Sequence, residues 1–220
     1  MVGLKICGVT RAEDLRRCIE LGVDAIGLNL WPGSRRHLSL DAAEAMLRAA
    51  DVRTGSDESP TRVGVFVDAA LAEVEAAVKR LGLALIQPHG DAPVEPYAAL
   101  AAGLGVGWIW VIRGTPALST LRVPSPAPSW ILLDAAVPGY GGVGVRTDWA
   151  WAREAVQHLA AIPVWLAGGV TPENAAAAIA EVRPAGLDVA SGSERAGATR
   201  GEKDPAKIAA LVDICRAAGL

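Results

Sequence analysis

Short apolar runs alternate regularly with amphipathic segments, which predicts an α/β fold, and three observations make it a closed barrel. Eight apolar runs recur along the chain, each followed by a helical pattern. The 220 residues suit eight such units, wound by right-handed crossovers around one parallel sheet. Residues able to do chemistry, namely Cys7, His89, Asp134, Gly168-Gly169 and Ser191-Gly192, follow or end strands in five different units. A doubly wound open sheet, the competing architecture, would gather them at one switch point. The expectation is an α/β chain folded as a single-domain (β/α)8 TIM barrel over residues 1–220, with a parallel eight-stranded core.

The elements follow in order. The first strand, Leu4–Cys7, ends in a thiol at the mouth of a turn, and Thr10-Arg11-Ala12-Glu13 reads as a capping box that opens the helix Ala12–Leu21, with Gly22 as its stop. Ala25–Leu30 is the second strand, and Ser39 caps the helix Leu40–Ala50. Arg62–Val67 is the third, followed by Asp68 as cap, the helix Leu71–Leu81 and the stop Gly82. Leu83–Gln87 precedes a short helix, Val94–Ala102, and Gly107–Val111 precedes the weakest helical pattern, near Pro116–Leu121. Trp130–Asp134 leads to Trp149–Leu159, capped by Asp148. Val164–Gly168 leads to Pro172–Val182, capped by Thr171, and Leu187–Ala190 leads to Pro205–Ala217, capped by Asp204. Both prolines occupy the favoured first helical position. The Gly55–Pro60 and Pro124–Pro128 stretches are loop-like but separate no two composition regimes, so no domain boundary is drawn.

Composition narrows the function. With 51% hydrophobic residues the chain can bury a sizeable core, which excludes a disordered or fibrous protein. A net charge of −3 with interspersed charges offers no basic stripe for nucleic acid. No run approaches the roughly 20 apolar residues of a membrane span, and no basic segment leads into an apolar one at the start, so a cytoplasmic protein with a small ligand is expected. Cys7, Cys18 and Cys215 show no C-x-x-C spacing, and the last two sit on helical patterns where a structural role is expected.

Cys7 is placed either to serve as a thiolate base or to be a small buried apolar residue. Asp134, delivered by Ile131-Leu132-Leu133, is either a partly desolvated general acid or a cap or ion-pair partner. The run Gly139-Tyr140-Gly141-Gly142-Val143-Gly144 suggests a loop over a ligand. Gly168-Gly169 before a capped helix and Ser191-Gly192 after the last strand form the pair of glycine turns that binds phosphate in such barrels. Arg36 offers a fork for a planar carboxylate, whereas Arg35 and His37 are expected at the periphery. Gln87 and His89 at the fourth strand exit could bond a ligand or satisfy a loop carbonyl.

Together these segments resemble the phosphoribosylanthranilate isomerases over nearly the whole length. The resemblance is carried by KICGVT from Lys5, ELGVDAIGL from Glu20, PGSRR from Pro32, VGVFVD from Val63, IQPHG from Ile86, LLD from Leu132, GGVG from Gly141, LAGGVTPEN from Leu166 and LDVASG from Leu187 with the later EKD. It implies an Amadori rearrangement of a phosphoribosylated anthranilate without metal or organic cofactor. In that reading Cys7 is the general base, Asp134 the general acid and Arg36 the partner of the anthranilate carboxylate. Gly168, Gly169, Ser191 and Gly192 hold the phosphate, and His89 and Asp188 line the pocket. The expected partner is a phosphorylated small molecule, acting on a monomer or homodimer. Pro88, where the family has Leu, removes a backbone donor just before His89. The competing readings are another barrel converting a sugar phosphate and a noncatalytic barrel that binds a phosphorylated ligand. A metal-dependent epimerase would need grouped histidines, and only His37, His89 and His158 exist.

Overall fold

Eight parallel strands pair in chain order and close on themselves: β1 (Gly3–Cys7), β2 (Ala25–Asn29), β3 (Thr61–Phe66), β4 (Leu85–Pro88), β5 (Gly107–Arg113), β6 (Trp130–Asp134), β7 (Val164–Leu166) and β8 (Gly186–Val189). The computed structural model describes residues 2–50, 59–137, 144–197 and 201–219. The seam is the pairing of β1 with β8, from Gly3↔Gly186 to Ile6↔Val189. Around the barrel stand α1 (Ala12–Leu21), α2 (Leu40–Ala49), α3 (Leu71–Leu81), α4 (Glu95–Leu104), α5 (Trp149–His158), α6 (Pro172–Val182) and α7 (Pro205–Ala217). The chain forms the expected (β/α)8 barrel.

Strand residues alternate between two buried faces, so the strands read as nearly continuous apolar runs. Leu4, Ile6, Ile26, Leu28, Ile86, Ile131 and Leu133 join the large core beneath the helices. Ala25, Val63, Leu85, Ile109, Leu132, Trp165 and Ala167 form a separate cluster inside the barrel. One end of that interior is plugged by indoles, Trp130 and Trp165 being stacked with centroids 4.4 Å apart. Glycine makes the space for this, since a Cβ on Gly186 would stand 2.5 Å from the Trp165 ring and one on Gly3 2.7 Å from it. The polar interior residues are thereby left at the opposite end, where the strands finish.

Helix ends follow the sequence with two exceptions. Ser39, Asp148 and Asp204 accept the N–H groups of Ala42, Trp151 and Ala206, and Thr171 N–H donates to Asn174 Oδ1 at 2.9 Å. Gly22 and Gly82 close α1 and α3 in the left-handed conformation. The expected capping box at Thr10 is not formed; Arg11 stands at the N-cap without a side-chain capping hydrogen bond, and Glu13 pairs back with the Arg11 guanidinium. Asp68 does not cap α3, whose N-cap is Ala70. Its Oδ1 instead accepts the N–H groups of Asp91 and Ala92, each at 2.8 Å, tying the loop after β3 to the loop after β4. Between β5 and β6 the expected helix reduces to one 3₁₀ turn, Leu118–Thr120, because Pro116, Pro124, Pro126 and Pro128 withhold backbone donors. Residues 55–58 of the first loop-like stretch lie outside the described residues. Among the described residues no helix is long and apolar enough to cross a membrane.

Cys18 and Cys215 are buried against the barrel, as a structural role requires. Burial pushes the Cys18 thiol from its ordinary 9.0 to about 12 and the Cys215 thiol to about 11. The folded state therefore holds protons that the unfolded chain releases, so this stabilisation is complete below pH 9.0 and fades as pH rises toward those values. Urea midpoints should fall across alkaline pH, and fall less steeply in Cys18→Ala and Cys215→Ala than in wild type. Equal slopes would contradict the assignment.

Candidate active site

At the C-terminal ends of the strands lies a cavity of about 530 Å³ lined by Cys7, Arg36, His89, Asp134, Gly168, Gly169, Asp188 and Ser191. The structure thus brings together every candidate catalytic and substrate-binding residue of the sequence except Gly192, which is buried in the turn after β8.

A buried polar chain crosses the cavity floor. Lys5 and Cys7, two residues apart on β1, share the inner face. The Lys5 ammonium, 1% exposed, donates to Asp188 Oδ2 at 2.8 Å and to Gln87 Oε1 at 3.0 Å. Burial opposes its charge, but Asp188 and the Cys7 sulfur outweigh that and hold its pKa above the ordinary value. Gln87 Nε2 lies 3.0 Å from His89 Nδ1, and His89 Nε2 lies 3.3 Å from Asp134 Oδ2. That last approach is too poorly aligned to count as a hydrogen bond, so His89 Nε2, like Asp188 Oδ1, is a buried polar atom without one. Such atoms on a cavity wall are where a ligand completes the bonding. Asp134 Oδ1 accepts the Ala135 N–H at 2.8 Å. Burial pushes the Cys7 thiol up, while Lys5, Lys203 and Arg36 pull against it without reversing the direction. Gly27 gives the sulfur its room, since a Cβ there would stand 2.7 Å from Sγ.

Pro88 leaves this arrangement intact. The β4–β5 pairing ends at Ile86↔Trp108, so no partner awaits the missing N–H, and the His89 N–H still donates to Phe66 O at 2.7 Å.

The glycine turns meet the adjoining wall. Gly168 and Gly169 have φ of 82° and 65°, the left-handed region, and a Cβ on Gly168 would stand 2.4 Å from Thr147 Oγ1. A Cβ on Gly192 would stand 1.9 Å from Val170 O. The two turns stand beside the N-terminus of α6, where Gly168, Gly169 and Ser191 line the cavity. Of the glycine loop expected over the ligand, residues 139–143 lie outside the described residues; Gly144 lines the cavity. Arg36, also buried, donates from Nε to Glu194 Oε1 at 2.5 Å. Arg35, expected as a solvated side chain, pairs with the other oxygen of the same carboxylate.

Comparison with known proteins bears directly on this constellation. The family model described as N-(5'phosphoribosyl)anthranilate (PRA) isomerase matches residues 4–214. The chain belongs to the phosphoribosylanthranilate isomerase family. It is 39% identical over 225 residues to the N-(5'-phosphoribosyl)anthranilate isomerase of Myxococcus xanthus (strain DK1622), covering 100% of this chain and 98% of that one. The phosphoribosyl anthranilate isomerase structure from Thermus thermophilus matches with a TM-score of 0.80 and 33% identity, covering 98% of this chain and 99% of the other. A phosphoribosyl anthranilate isomerase solved in complex with reduced 1-(O-carboxyphenylamino)-1-deoxyribulose 5-phosphate matches with a TM-score of 0.77 and 28% identity over 100% of both chains.

Sequence reasoning gave no role to two buried lysines of this phosphoribosylanthranilate isomerase-family chain. Lys5 had a usable signal, its two-residue spacing from Cys7, whereas Lys203, within the EKD segment, had none that pointed to burial, because its hydrogen-bond acceptors are backbone carbonyls. The Lys203 ammonium donates to Cys7 O at 2.7 Å and Ala190 O at 2.9 Å, with Glu194 Oε1 at 3.6 Å. Burial pulls its pKa down to about 8. Glu194, which burial alone would raise, is held below the carboxylate range by Arg36, Lys203 and Arg35. Lys203→Met keeps the volume but strips two buried carbonyls of their donor and Glu194 of a cation, and should cost about 2–5 kcal/mol in urea unfolding. A cost below about 0.5 kcal/mol, the level of an ordinary surface substitution, would show that solvent replaces the ammonium.

Proposed function

We propose that this chain isomerises N-(5′-phosphoribosyl)anthranilate to 1-(2-carboxyphenylamino)-1-deoxyribulose 5-phosphate in tryptophan biosynthesis, with Cys7 as base and Asp134 as acid. The observation that carries the reading is the one cavity holding a thiol, a carboxyl, a guanidinium and two glycine turns, in a chain of this isomerase family. The phosphate sits at the N–H groups of Gly168, Gly169, Ser191 and Gly192, and the anthranilate carboxylate faces Arg36. This polarity puts the ribose between Cys7 and Asp134.

Asp134 gives its proton to the ring oxygen as the C1′–O bond breaks and the anilinic nitrogen supplies its electron pair, leaving a cationic Schiff base. Cys7 enters this step as the thiolate, a form that burial disfavours and that the charges of Lys5, Lys203 and Arg36, and now of the Schiff base, favour. The thiolate takes the C2′ proton, and the C–H pair flows to the nitrogen to give the enol-amine. Asp134 carboxylate then accepts the enol proton while Cys7 returns its proton to C1′, which forms the ketone and restores both groups. Asp188, with its buried unpartnered Oδ1, bonds a ribose hydroxyl between these events, and His89 lines the same pocket beside Asp134. The substrate's own nitrogen is the electron sink. A cytoplasmic place and a small phosphorylated substrate complete the proposal.

The test follows the loss of substrate fluorescence with the labile phosphoribosylanthranilate generated in situ. Wild type should turn over, and Cys7→Ala and Asp134→Asn should each lose about 10²–10⁴-fold in kcat. Arg36→Met should chiefly raise KM. Absence of wild-type turnover where a known isomerase works would reject the reaction.

A further inference from the structure

We propose that Gln87 is a positioning residue: held by Lys5, its side-chain amide fixes His89 as the Nε2–H tautomer aimed at Asp134. Donor and acceptor chemistry fixes each contact in turn. An ammonium has three donors and no acceptor, so the Gln87 atom 3.0 Å from Lys5 Nζ must be the carbonyl oxygen. The amide orientation is therefore dictated chemically, and its NH₂ must face His89 Nδ1, 3.0 Å away. Nδ1 then accepts, and a neutral imidazole carries its one proton on Nε2. That nitrogen is buried, makes no formed hydrogen bond and lies 3.3 Å from Asp134 Oδ2. Asp188 locks the source of the chain, since its Oδ2 takes another Lys5 proton at 2.8 Å.

The alternatives fail on the same contacts. The opposite tautomer would set N–H against NH₂ at Nδ1 and turn the Nε2 lone pair toward Asp134. An imidazolium would make the same donor clash, and the amide cannot turn over to relieve it while Lys5 faces its oxygen. The consequence concerns the acid. An Nε2 lone pair would capture the Asp134 proton that ring opening requires; an Nε2–H leaves that proton for the substrate and meets the carboxylate as its charge develops. Gln87 thus acts through His89 without touching the reacting atoms. This consequence rests on Asp134 being the general acid, as proposed above; the tautomer does not.

Long-range ¹H–¹⁵N correlation on histidine-labelled protein tests the inference, with His89→Gln identifying the His89 signals among the three histidines. Wild type should show protonated Nε2 and bare Nδ1. Gln87→Met keeps the volume and removes both contacts, and Gln87→Glu keeps the acceptor for Lys5 but demands a proton on Nδ1. In Gln87→Glu the ¹⁵N pattern should move to a protonated Nδ1. Both variants should lose about 10–100-fold in kcat with KM changed by less than about threefold, a split expected of a group that acts in the transition state. A wild type with Nδ1–H, or a folded Gln87→Met with wild-type kcat, would overturn the proposal. Wild type without turnover would instead sink the proposed reaction, and the nitrogen shifts would still decide the tautomer.

Discussion

A cation inside a barrel must be surrounded by acceptors, and the site is built on that requirement at Lys5. An unpaired buried ammonium would be strongly destabilising, so the strands that face it must supply oxygen at the same level. β8 supplies Asp188, in register with Lys5 across the seam, and β4 supplies Gln87 from the far wall. With Cys7 two residues further along β1, one charge is coupled to the sulfur on one side and, through an amide and an imidazole, to Asp134 on the other. The Cys7 thiol and the Asp134 carboxyl are thereby arranged around one buried cation.

The rest of the barrel makes that cation tolerable. Stacked Trp130 and Trp165, set into the space of Gly3 and Gly186, close the other end of the interior. Polar side chains are thereby confined to one end, where a substrate can complete the bonds that the protein leaves open. Lys203 supports the same strand from the other side, through the Cys7 carbonyl, and ties it to the turn after β8. Two ammonium groups thus flank the thiol, yet burial remains the largest influence on it.

The fold was legible because period, length and the scatter of polar strand ends agree. Ser39, Asp148 and Asp204 cap as their types suggest, each needing only local geometry. Asp68 and Thr10 misled because a residue with capping chemistry serves whichever donors its loop brings near, and for Asp68 these belong to Asp91 and Ala92 on another loop. The lining of the candidate site was legible where unusual residue types stand at strand ends, as at Cys7 and Asp134. The supporting set was not. Glu194 and Lys203 look like solvated charges in the sequence, and only the closed seam makes them interior. Arg35 is exposed, as its loop position suggests, while also sharing the Glu194 carboxylate with Arg36.

The Lys203 contact joins residues 196 positions apart, from the first strand to the loop before the last helix. During synthesis on the ribosome, β1 emerges first and waits for β8 before the barrel can close, and Lys203 emerges later still. The sulfur leads by 196 residues the ammonium that pins its backbone. A nascent barrel stalled short of that point carries the Cys7 thiol on an open edge strand, so the interval before closure is when this residue is most exposed to oxidants and to chaperones that recognise unpaired strands.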